Sequence, residues 1–72
     1  MAAELSRTFD HDAAAIHVVV ADEYGKQSFH TLYVAGAAGV ADVDAAIAQI
    51  LTDTDTQAAV IRARMIAAGW TP

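Results

Sequence analysis

The chain has no cysteine. Disulfides, thiolate zinc sites and thiol nucleophiles are therefore excluded, and a reducing compartment is the natural fit. Proline occurs once, in the tail Thr71-Pro72. Basic residues are scarce: four Lys and Arg stand against nine Asp and Glu, for a net charge of −5. That balance repels nucleic acid and anionic lipid, so neither is an expected partner. No apolar run approaches the length of a membrane-spanning helix. The segment Met1-Ala2-Ala3-Glu4 lacks the basic and apolar regions of a signal peptide. A cytoplasmic protein is the expectation, and a virion component made in a bacterial cytoplasm has the same appearance.

Apolar residues are plentiful, but 18 of them are alanine, and only 22 carry a larger apolar side chain. Alanine favours helix and permits close packing while burying little area. The 72 residues make one domain. A chain of that size buries only about 60% of the surface its unfolded form exposes. Its stability is marginal, and self-association or a partner would add to it.

The local pattern predicts an α+β domain: an antiparallel β-hairpin followed by an antiparallel pair of short helices. Residues 1–12 read as an edge strand, from the alternation of Leu5, Arg7 and Phe9 with Ser6 and Thr8, or as a flexible arm. With the strand, the hairpin becomes a three-stranded meander. Residues 14–34 make the hairpin. Ile16, Val18, Val19 and Val20 are β-branched, and Gly25 supplies the positive φ of a tight turn. Asp42 is the expected N-cap of a helix over 42–52, with Val43, Ile47, Ile50 and Leu51 on one stripe. The run Asp53-Thr54-Asp55-Thr56 reads as a break, with Thr54 and Gln57 at capping-box spacing opening a second helix over 54–68. Gly69 suits the position that ends a helix, and Trp70 packs back over the last turn.

With the hairpin turn centred on Tyr24 and Gly25, Val20 faces Phe29 and Ile16 faces Tyr33. One face then carries Ile16, Val18, Val20, Phe29 and Tyr33. The other carries Val19, Leu32, Val34, His17 and His30. A slip of one residue would exchange these partners. Both faces are substantially apolar, and a single helix pair covers only one. An uncovered apolar sheet face or free edge strand ordinarily meets another chain.

No chemical motif stands out. His17 and His30, diagonal neighbours in this register, lie at a spacing that lets two imidazoles share an ion, with Asp10, His11 and Asp12 as further donors. Their sequence spacing matches no metal motif, and ordinary sheet and turn roles are the favoured account of them. The acid pairs Asp42/Asp44 and Asp53/Asp55 match two positions of a calcium loop but lack its glycine and distant glutamate. Gly36-Ala37-Ala38-Gly39 precedes a helix, but no lysine follows, and Asp42 and Asp44 would repel a phosphate. Ser6 and Ser28 lie in strand contexts without a nucleophile elbow. Arg62 and Arg64, two apart on a helix, point in different directions and make no nucleic-acid patch.

No enzyme activity, cofactor or metal is therefore expected. The leading expectation is a protein–protein interaction or assembly module, docking through its hairpin to copies of itself or to a larger partner. Val19, Leu32, Val34, His17 and His30 are its candidate interface, with Tyr24 and Trp70 as aromatic anchors. The composition suits an accessory protein of a phage or mobile element. Two alternatives stand beside it: an acidic inhibitor or regulator that binds a basic protein surface, and a small oligomeric metal-binding protein or enzyme using His17 and His30.

Overall fold

A computed structural model describes all residues from Met1 to Pro72. Strands β1 (Ala3–Asp10), β2 (Ala15–Ala21) and β3 (Gln27–Tyr33) form an antiparallel sheet in the order β1-β2-β3, followed by one helix, α1 (Val43–Ala67). The α+β class and the meander hold, with β1 as an edge strand in place of a flexible arm. The β1–β2 turn is closed by Asp10, whose carboxylate accepts from the Ala13 N–H at 3.2 Å. Ala14 completes that turn at φ 49°, a conformation that costs a residue with a Cβ about 1 kcal/mol.

The β2–β3 turn sets the register, and it differs from the two-residue turn expected. Asp22 pairs with Lys26 through its N–H to the Lys26 carbonyl at 2.9 Å. The Asp22 carboxylate accepts from the N–H groups of Tyr24 and Lys26, both at 2.9 Å. The loop is thus three residues, Glu23-Tyr24-Gly25, with Gly25 at φ 87° as in a glycine-bulge hairpin. One more loop residue shifts every pairing by one: Ile16 faces Leu32, Val18 faces His30 and Val19 faces Phe29. Leu32 and His30 consequently share a face with Ile16, Val18 and Val20. Phe29 and Tyr33 go to the opposite face with Val19 and His17.

The expected pair of short helices over 42–52 and 54–68 is overturned: α1 runs unbroken for 25 residues. Asp42 is its N-cap, accepting from the Ala45 N–H at 3.0 Å. The Thr and Asp residues taken for a break turn their polar groups onto the helix itself. Thr52, Thr54 and Thr56 donate to the carbonyls of Ala48, Ile50 and Thr52 at 3.1, 2.7 and 3.2 Å. The Gln49 amide donates to Asp53 at 2.9 Å. Such back-bonding lets residues that favour caps sit in a helix interior. Asp55 does more, accepting from the Ala2 N–H at 2.6 Å and tying the middle of α1 to the start of β1. At the far end the Trp70 N–H reaches the Met65 carbonyl and the Gly69 N–H reaches that of Ile66, with Gly69 at φ 111°. This is a Schellman termination.

The core lies where α1 crosses the sheet. Ile47 packs on Ile16, Val18 and Val20, flanked by Leu32, Val43, Ile50 and Leu51. The helix rests on β1 and β2. Arg7 clamps this layer: it donates to both oxygens of Glu4 and to Asp44 at the helix start, all at 3.0 Å. The bonds to Glu4 first, then Asp44, raise the Arg7 guanidinium further above its ordinary pKa. At about 1.5 Å per residue α1 is roughly 37 Å long, whereas seven or eight strand residues span about 25 Å. The helix overruns the sheet at the β2–β3 turn, and the molecule measures 46 × 19 × 18 Å. No helix is long and apolar enough to cross a membrane.

Three substitutions test this architecture by chemical denaturation. Thr54→Pro, tolerable at a link between helices, is expected to cost about 3 kcal/mol inside a continuous one. Ala14→Gly is expected to add about 1 kcal/mol by relieving the left-handed backbone. At Gly39 a Cβ would lie 2.6 Å from the backbone carbonyl of Val34, so Gly39→Ala is expected to destabilise by about 1–3 kcal/mol.

Candidate functional site

Because α1 covers one face of the sheet, the other is open. It carries His17 and Val19 from β2 and Phe29, Thr31 and Tyr33 from β3. Phe29 is 76% exposed and Tyr33 63%. Of the residues singled out from the sequence, Val19 and His17 lie on this face, Val19 half-buried by its neighbours. Leu32 lies on the covered face against the core, and His30 is half-buried there. Val34 is exposed just past the end of β3. A two-residue turn would place Phe29 and Tyr33 on the other face. The signal that places them is the Asp22-to-Lys26 spacing with Gly25 next to last, the pattern of a three-residue loop.

The two edges of the sheet are unlike. β1 carries a bulge between Glu4 and Ser6 and the Glu4–Arg7 ion pair. Bulges and charges are the usual guards of an exposed edge. β3, Gln27-Ser28-Phe29-His30-Thr31-Leu32-Tyr33, has no charged residue, no proline and no register break.

The histidines do not converge. His17 projects to the open face, its Nδ1 3.2 Å from Thr31 Oγ1 and its Nε2 3.6 Å from Asp10 Oδ2. His30 projects to the covered face, with Nε2 2.9 Å from Ser28 Oγ. Lying on opposite sides of the sheet, they cannot share an ion. No group of three or more His, Asp or Glu side chains is gathered at metal-binding spacing. The Ser28–His30 contact has the reach of a nucleophile and its base, and it lines a groove of about 350 Å³ between β3 and α1. No hydrogen bond orients the other ring nitrogen of His30, so the third member of a catalytic relay is missing.

Tyr24 and Trp70, proposed as anchors, meet around Arg62. The guanidinium carbon lies 4.9 Å from the Tyr24 ring centre and 5.3 Å from that of Trp70. This clamp joins the overrunning end of α1 to the β2–β3 turn. Met65 and Ile66 stay about half exposed beside it. Eight of the nine acids are engaged within the chain, Glu23 with the Met1 amino group at 3.7 Å. Glu4 and Asp44 bind Arg7, Asp10, Asp22 and Asp42 cap turns or the helix, Asp53 holds Gln49, and Asp55 holds Ala2.

Comparison with protein-family models, curated proteins and solved structures finds no match to this chain.

Arg62→Met is expected to cost about 1 kcal/mol, since it removes two partly exposed cation–π contacts. Trp70 is the sole tryptophan. Its fluorescence is expected to shift in the folded variant, and an unchanged spectrum would show that the clamp does not persist in solution.

Proposed function

We propose that this protein is a non-enzymatic docking module that engages another polypeptide through strand β3 and the open face of its sheet. The observation that supports this reading best is the exposure of Phe29 and Tyr33 on an uncharged edge strand. Two large aromatics on one open sheet face in water are a poor arrangement for a chain acting alone, and aromatic residues of this kind are enriched at interface cores. The interior supports it too. Seven residues are buried, so the isolated chain has little core and gains from any surface that covers the rest. Binding free energy of this origin adds directly to stability.

Hydroxyl-radical footprinting tests the proposal. Reactivity at Phe29 and Tyr33 is compared between dilute purified chain and the cells that make it. The module reading expects both rings to be shielded in cells, with the loop residue His11 equally reactive in the two samples. Equal reactivity of Phe29 and Tyr33 in both would overturn it.

A further inference from the structure

The docking reading leaves the partner open, and β3 itself narrows the choice. We infer that the partner is a second copy of this chain, its β3 paired antiparallel with the first across a two-fold axis at Phe29. The two sheets then become one. The inference rests on the docking reading and goes beyond it in naming the partner and the register.

The backbone fixes the register. The bonds from Asp22 N–H to Lys26 C=O and from Val34 N–H to Ala14 C=O, both 2.9 Å, set the phase of the β2–β3 ladder. In an antiparallel ladder successive residues alternate between facing the partner strand and facing away. Ser28, His30 and Leu32 therefore bond to β2. The N–H and C=O groups of Gln27, Phe29 and Thr31 point to the free edge, where the chain supplies them no partner. The free run stops at Tyr33, whose carbonyl takes the Val40 N–H at 2.9 Å. The run from Gln27 to Thr31 is centred on Phe29. An antiparallel copy centred there pairs Phe29 with Phe29 and Gln27 with Thr31. Every free group from Gln27 to Thr31 gains a partner, and the Tyr33–Val40 bond is left in place.

Charge agrees with that geometry. Two copies each at −5 repel one another, but β3 brings no charged side chain to the seam. Antiparallel pairing sets the acidic turn at Asp22 and Glu23 of one copy beside the uncharged connector Ala35–Val40 of the other. At the centre of the seam the two Phe29 rings make an aromatic cross-strand pair, where energetic hot spots concentrate. The guarded β1 edge offers no equivalent.

The absence of cysteine makes the test direct. Purified chain is expected to sediment at twice its 7.5 kDa mass. Directly opposed residues of this kind lie about 5.5 Å apart at Cα, within disulfide reach. Phe29→Cys is therefore expected to oxidise to a cross-linked dimer much faster than Thr31→Cys, whose opposite number is Gln27. Phe29→Lys, which sets two like charges face to face, is expected to weaken the dimer at least tenfold while circular dichroism shows the fold intact. A strict monomer at about 1 mM, a concentration at which even weak pairs form, would overturn the inference. So would a dimer that cross-links faster through Thr31→Cys. A monomer whose Phe29 and Tyr33 are shielded in cells would overturn the second copy while leaving the docking reading in place.

Discussion

Ile47 seated on Ile16, Val18 and Val20 is the contact on which the rest of the molecule depends. It is the only place where sheet and helix bury large side chains together, and everything else is arranged around keeping α1 across that one face. Arg7 holds the helix start through Asp44 while bonded to Glu4, and Asp55 holds the helix middle to the backbone of Ala2. The Arg62 clamp holds the overrunning end against Tyr24 and Trp70. These three polar or cation–π tethers are spread along the helix, and they position a core too small to do so alone.

A single helix on a three-stranded sheet leaves the opposite face wet. The length that would have made a second layer instead projects beyond the β2–β3 turn, leaving Met65 and Ile66 half exposed. Apolar area is thus left at the open sheet face with its uncharged β3 edge, at the helix overrun, and at Leu5 and Phe9 of β1. The first also has unsatisfied backbone groups, which direct pairing in a way that apolar area cannot. That difference is why β3, and not the helix tip, carries the functional reading.

Polar groups show a complementary economy. No buried side-chain nitrogen or oxygen lacks a partner, and most carboxylates are bound to the chain's own N–H groups or to Arg7. The acidity that gives the chain its net charge of −5 is therefore largely a by-product of capping and clamping. β3 carries none of that charge.

What the sequence determined by itself was local. The β-branched run of β2, the Asp42 cap, the positive φ of Gly25 and the Gly69 stop each follow from the stereochemistry of a few adjacent residues. Two matters were decided by the tertiary structure. Asp53 to Thr56 carry cap chemistry, yet the stripe Val43, Ile47, Ile50, Thr54, Ala58, Ile61 and Met65 continues in phase through them. Packing of that stripe, with Asp55 bound to Ala2, keeps the helix whole. The faces of β3 hung on whether the hairpin loop has two residues or three. The Asp22 carboxylate, by gathering the N–H groups of Tyr24 and Lys26, settled on three. Because side chains alternate along a strand, that one residue moved Phe29 and Tyr33 into water and Leu32 into the core.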